Sequence, residues 1–331
     1  MSLENRSAML HFGILNVNKP PGRTSREVVD DVERLTRPAR AGHAGTLDPL
    51  ATGVLVICVG RATRLIEYIQ RMRKHYRATF LLGRRSDTDD IEGRVLELAE
   101  APEPSHLALD RVLPKFLGTI QQRPPAHSAV KIAGQRAYTL ARRGKIPELA
   151  PRPVTVHRLA VCRYEYPELE LEIECGSGTY VRALGRDLAE ALDTGAVMSA
   201  LERTAIGRFR IENAVTIDEL KAETLPRFLQ PAIDAVADLP HIELTDPQLN
   251  EICNGRPISM PVGESCAAAK PPLGRVFDPE AQTRRELGAE RQAGLEAGSP
   301  CEWGAVDAAG QLVAVLREKH VGQLWPVKNF A

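Results

Sequence analysis

The sequence predicts a globular protein of two domains that mixes strands and helices, and three observations predict it. The chain has 331 residues, 43% of them hydrophobic and 26% charged, ordinary values for a protein built from domains of roughly 100 to 200 residues. Its first 230 or so residues alternate between strand-like and helix-like patterns, and near Pro240 the composition changes. We therefore expect one domain over residues 10–240 and a smaller one over 241–331.

The elements follow in order. Gly13 to Lys19 (GILNVNK) reads as a strand stopped by Pro20-Pro21-Gly22, after which Thr24 or Ser25 caps a helix to about Leu35, with Glu27 aiding the cap. Residues 42–53 (GHAGTLDPLATG) form a loop with one carboxylate, Asp48. Gly42, Gly45 and Gly53 allow backbone angles that other residues resist, and Pro49 restricts Asp48 toward extended geometry. Val54 to Val59 then runs as a buried apolar strand, Ala62 to Met72 is amphipathic, and His75 to Leu82 alternates as a strand ending at Gly83. Asp87, Asp89, Asp90 and Glu92 lack the ligand spacing of a calcium loop and read as a solvated loop.

Ser105 to Leu117 reads as a helix, and Gln121 to Gly144 as a hairpin plus short helix projecting from the body. Thr155 to Tyr166 and Glu168 to Cys175 pattern as paired strands, Arg182 to Leu192 as a helix with Leu184, Leu188 and Leu192 on one side, and Val215 to Leu229 as polar, helix-like connection. Beyond Pro240 come an acidic helix at Asp246 to Cys253, an irregular insertion at about 261–300, and a hairpin of Trp303 to Asp307 with Gln311 to Leu316.

Six scattered cysteines, without a C-x-x-C pair, argue against zinc and against a disulfide framework, and point to a reducing compartment. With no apolar N-terminal segment and no run of 18 apolar residues, the expectation is a cytoplasmic protein without a membrane partner. Zero net charge hides an asymmetry: residues 1–160 hold 26 Lys and Arg against 16 Asp and Glu, and residues 161–331 hold 17 against 27. Within the basic half, residues 61–85 interleave Arg61, Arg64, Arg71, Arg73, Lys74, Arg77, Arg84 and Arg85 with Tyr68 and Tyr76. Arginines among aromatics suit a phosphate backbone with stacked bases.

Five segments then stand in order around the Asp48 loop: GILNVNKPPGRTS at 13–25, Lys74-His75-Tyr76, SAVKIAGQRAYTLARRG at 128–144, GSGTYVRALGRDL at 176–188, and LERTAIGRF at 201–209. Together with residues 42–53 they resemble the TruB family of tRNA pseudouridine synthases over roughly residues 13–230. The resemblance implies an α+β pseudouridine synthase fold with a mixed, largely antiparallel central sheet, followed by a small β-rich C-terminal domain of PUA-like type. It implies isomerisation of the T-loop uridine of tRNA with no cofactor and no metal, by a monomer.

By the same resemblance Asp48 is the catalytic carboxylate, attacking C1′ of the sugar or removing the C2′ proton. Arg182 is its counter-ion and Tyr76 the platform for the flipped base. His43 and Tyr180 line the pocket, and Lys19, Lys74 and Arg208 support phosphate or loop. An insertion at about 121–152, with Lys131 and Arg142 as substrate contacts, grips the T-arm by shape and backbone charge. Two other classes remain open to the same residues. One is a non-catalytic RNA-binding or RNA-folding protein; the other is an N-glycoside hydrolase, which would release free uracil.

Overall fold

The computed structural model describes residues 12–125, 131–132, 135–136, 149–260 and 301–330. By its contacts the chain divides into two units, Met1–Gln230 and Pro231–Ala331.

In the first unit the chain order is β1 (Gly13–Lys19), α1 (Ser25–Leu35), β2 (Ala41–His43), β3 (Thr52–Val59), α2 (Ile66–Arg71), β4 (Lys74–Leu82), α3 (His106–Val112), β5 (Gly118–Gln122), β6 (Arg152–Glu165), β7 (Glu168–Cys175), α4 (Val181–Glu190), β8 (Ala196–Ile206), β9 (Phe209–Arg210) and β10 (Val215–Thr216). These strands form one sheet in the order β10-β1-β3-β8-β4-β7-β6-β5, with β2 added to β3 and β9 to β8. The pairs β1–β10 and β3–β8 are parallel and the others antiparallel. The mixed, largely antiparallel α+β architecture is therefore borne out.

Local chemistry explains the elements that place the site. β3 (TGVLVICV) is buried over seven of its eight residues, as befits a strand covered on both faces. α1 starts on a capping box: Glu27 accepts from the Thr24 amide at 2.7 Å and its own amide donates to the Thr24 hydroxyl at 3.2 Å. Val28, Val29 and Val32 then bury against Leu15, Val17, Leu55 and Ile57 of the sheet. The helix expected over 105–117 ends at Val112 and tightens to a 3₁₀ turn at Leu113–Phe116, where Pro114 supplies no backbone N–H.

α4 lies close on the sheet for a reason visible in one residue. A Cβ added to Gly185 would sit 1.9 Å from Phe80 Cε1, so the helix backbone rests directly on the Phe80 ring. Leu184, Leu188 and Ala189 complete the contact with a core that also takes in Leu47 and Ala51 beside Asp48.

The second unit holds β11 (His241–Glu243), α5 (Asp246–Cys253), β12 (Ile258–Ser259), β13 (Glu302–Val306), β14 (Leu312–His320) and β15 (Gln323–Asn329). Its five strands pair in the order β11-β13-β14-β15-β12 around Trp303, Ile252 and Leu316. Cys301 is disulfide-bonded, a pairing that the scattered cysteines did not suggest, whereas Cys58, Cys162, Cys175 and Cys253 are free thiols.

Candidate active site

Three braces hold the Asp48 loop between β2 and β3. The Ser25 hydroxyl donates to the Leu47 carbonyl at 2.9 Å and accepts from the Leu47 amide at 2.8 Å. Lys19, fully buried at the end of β1, donates to the carbonyls of Pro20 at 2.8 Å, Arg23 at 2.6 Å and Pro49 at 3.2 Å. Arg203 of β8, only 2% exposed, reaches the carbonyls of Val54 at 2.7 Å and Gly45 at 3.0 Å. Gly53 has φ +95°, and a Cβ there would lie 2.3 Å from the Arg203 carbonyl oxygen; only glycine fits where the start of β3 lies beside Arg203 of β8. The Asp48 side chain itself keeps 36% of its surface exposed.

Arg182, in the first turn of α4, is the hub. One guanidinium nitrogen lies 3.1 Å from Asp48, and another lies 3.1 Å from Asp90 and donates to the Thr88 carbonyl at 2.7 Å. Its side chain is 7% exposed and that of Asp90 3%. The solvated-loop reading of residues 87–92 is thus corrected: Asp90 is buried, and it also accepts from the Thr88 hydroxyl at 2.6 Å and the Glu92 amide at 3.0 Å. A buried carboxylate needs a cation and hydrogen bonds, and here the cation comes from 92 residues further along the chain. Asp187 pairs at 2.8 Å with Arg186, not with Arg182, and Arg186 also holds Asp89 at 2.8 Å. Burial raises the Asp89 and Asp187 carboxyls above the ordinary range, with Arg186 opposing the rise.

Tyr76 stands in β4 opposite Arg203 of β8 and Ile173 of β7. It is half-buried against the core beside the Asp48 loop, and burial pushes its phenol up while the charge of the Arg203 guanidinium opposes the shift. The His43 ring Nδ1 accepts from the Gly45 amide at 3.4 Å. Burial, then the charges of Arg203 and Arg26, hold that imidazole below its usual range, so it is neutral at pH 7. Tyr180 is the residue before α4 and two before Arg182.

Of the phosphate or loop support expected of Lys19 and Lys74, the structure shows the second kind: Lys19 braces the Asp48 loop, Lys74 donates to the carbonyls of Met72, at 2.6 Å, and Gln70, and burial lowers both lysines to about 8. They are internal braces. Arg208 is exposed in the turn between β8 and β9. Lys131 falls in a two-residue strand paired with Gln135–Arg136; Arg142 and most of the 121–152 insertion lie outside the described residues.

The basic run is likewise partly spent within the chain. Arg73 pairs with Glu174 at 2.8 Å, Arg77 with Glu170 at 3.4 Å, Arg71 with Glu67 at 3.4 Å and Arg84 with Glu97 at 3.0 Å. β7 supplies two of these acids from its alternation of Glu168, Glu170, Glu172 and Glu174 with buried Leu169, Leu171 and Ile173.

Asp90 and Arg203 are the site residues that the sequence reading did not assign. For Asp90 no local signal exists. For Arg203 one does: it alternates with Leu201 and Ala205 on the buried side of β8. Among the described residues no group of three or more His, Cys, Asp or Glu side chains could hold a metal ion, and no helix is long and apolar enough to cross a membrane.

Comparison with known proteins agrees with this geometry. Residues 33–181 match the N-terminal domain of the TruB family of pseudouridylate synthases, and residues 182–236 match the C-terminal domain of tRNA pseudouridylate synthase B. The tRNA pseudouridine synthase B of Gluconacetobacter diazotrophicus is 41% identical over 254 residues, covering 75% of this chain and 83% of that protein. The protein of that name from Mycobacterium leprae is 40% identical over 288 residues, covering 84% and 89%. Among solved structures, a Cbf5–Nop10–Gar1 complex aligns with a TM-score of 0.65 at 26% identity, over 93% of this chain and 78% of the matched chain.

Proposed function

The chain belongs to the TruB family of pseudouridine synthases, which are isomerases, and we propose that it converts the uridine at position 55 in the T-loop of tRNA to pseudouridine, with Asp48 as the catalytic carboxylate. The observation that carries this reading is the Arg182–Asp48 pair at 3.1 Å, on a loop whose backbone is braced by Lys19, Ser25 and Arg203.

The reaction breaks the bond from uracil N1 to C1′, turns the base, and joins C5 to C1′; the C5 proton leaves and N1 ends protonated. Asp48 acts at the sugar, as nucleophile at C1′ or as base at C2′. Both routes use the ionised carboxylate, and Arg182 is its counter-ion. The target base leaves its stack, at a cost of a few kcal/mol, and rests against Tyr76. His43 and Tyr180 border the extruded nucleotide, and the insertion between β5 and β6 grips the T-arm of the tRNA, which the protein binds as a monomer.

Purified protein and unmodified tRNA carrying tritium at uracil C5 test the proposal. Label should appear in water, with Asp48→Asn releasing none while still binding tRNA. Release by that variant would sink the assignment of Asp48, and free uracil among the products would make the enzyme a hydrolase.

A further inference from the structure

Three contacts tie α4 and the residues just before it to Gln122, Arg123 and Arg152, which bracket residues 124–151. Gln122 is the last residue of β5 and Arg152 the first of β6, and the two are register partners. The Gln122 side chain, in a residue 1% exposed, closes a two-point bond on the Tyr180 backbone: its amide donates to the Tyr180 carbonyl at 3.1 Å and its oxygen accepts from the Tyr180 N–H at 2.8 Å. Arg152 donates to the Gly178 carbonyl at 3.0 Å and places its guanidinium 5.1 Å from the Tyr180 ring centroid. One turn along the helix, Arg186 donates to the Arg123 carbonyl at 2.8 Å.

Gln122, Arg152 and Arg186 carry no role in the chemistry proposed above. Their joint effect is mechanical. A buried side-chain amide that closes on both backbone groups of one residue fixes that residue's height and rotation; the Tyr180 carbonyl also accepts from the Leu184 amide at 3.0 Å, so a wrong placement leaves the Tyr180 amide unpaired. Stacking by Arg152 fixes the ring of the same residue. Arg182 follows two residues later in a ten-residue helix, so a displacement of Tyr180 is carried to the guanidinium that sits 3.1 Å from Asp48. An ångström there is enough to change rate strongly.

We propose that Gln122 and Arg152 are positioning residues through which the root of the insertion sets Tyr180 and Arg182 for catalysis. Resting on the function proposed above, this makes the β5–β6 root a control on turnover as well as a support for RNA binding.

The test uses the full chain and C5-tritiated tRNA, with Gln122→Leu, Arg152→Met, Arg152→Lys, Tyr180→Ala and the double variant Arg152→Met/Tyr180→Ala. Removing the clasp should lower kcat by about tenfold or more while the tRNA Kd stays within about twofold. R152K should recover part of the R152M loss, because a cation remains over the ring. In the Y180A background R152M should cost clearly less than it does in the wild type, since the ring is gone and only the Gly178 contact remains to be lost. Weakened tRNA binding with intact kcat would overturn the proposal and leave the root as an RNA grip only; so would an R152M loss that multiplies undiminished with Y180A. Should Q122L fail to fold, the Arg152 and Tyr180 set still decides. An active wild-type protein with unaffected variants sinks this inference alone, whereas an inactive one sinks the assigned function with it.

Discussion

Asp90→Ala removes one of the two carboxylates that share Arg182, and its effect can be worked from the contacts. Asp90 is 3% exposed in its side chain and lies 3.1 Å from the guanidinium; breaking such a buried pair costs about 3–5 kcal/mol of stability. Here the lower end applies, because Arg182 keeps Asp48 and the Thr88 carbonyl. For catalysis the relevant quantity is one charge-assisted hydrogen bond that orients Arg182, about 1.5–3 kcal/mol, or a fall in kcat of roughly 10- to 160-fold. Asp90→Asn, which can still accept from the Thr88 hydroxyl and the Glu92 amide, should fall between the wild type and the alanine variant. Single-turnover tritium release with saturating enzyme measures the rate, and thermal unfolding measures stability on the same samples. A folded Asp90→Ala protein with kcat within about twofold of wild type would refute the claim that Asp90 orients Arg182 for the proposed reaction.

Gly185→Ala forces a methyl into the Phe80 ring, 1.9 Å away; overpacking of this kind costs about 1–3 kcal/mol or more. The loss should show as a lowered Tm, partly recovered by adding Phe80→Leu, and an unchanged Tm would contradict the direct seating of α4 on β4. Lys74, lowered by burial from 10.5 to about 8, binds fewer protons folded than unfolded between those values, so its contribution to stability improves as pH rises through that window. The difference in unfolding free energy between wild type and Lys74→Met should therefore move in favour of wild type from pH 8 to 10 and stay level below pH 8; a flat difference throughout would show an unperturbed lysine. Arg77 is held by Glu170 and Glu172, so Arg77→Gln should leave tRNA affinity within about twofold and the slope of log K against log salt unchanged, where a lost phosphate contact would reduce that slope by about one.

Much of the fold was legible because it is local. The capping box at Thr24–Glu27, the apolar run of β3 and the alternation of β7 each announce themselves within ten residues. What escaped was set by partners remote in sequence. Nothing in a run of acids tells which one turns inward to meet Arg182, and a lysine at a strand end gives no sign that three carbonyls wait for it, as they do for Lys19. Arg203 was readable in principle, since strand alternation placed a charge on the buried side of β8. Inferring what it holds required knowing that β8 lies beside β3, which no local pattern supplies. The basic run overstated the unpaired charge for the converse reason: it was counted without the glutamates that answer it across the β4–β7 pair.

The strand order carries a consequence for synthesis. β8, residues 196–206, stands between β3 and β4 and is the only strand in the sheet order that joins the three-strand group β10-β1-β3 to β4-β7-β6-β5. As the chain leaves the ribosome, both earlier strand groups, apart from β10, are complete before the strand that unites them exists. The Asp48 loop meanwhile lacks its Arg203 brace. Assembly thus waits on long-range pairing, the slow kind, and the nascent protein passes through a stage with two exposed inner strand edges. The Asp48 site is closed from the C-terminal side, so translation past β8 is the event that makes the site possible.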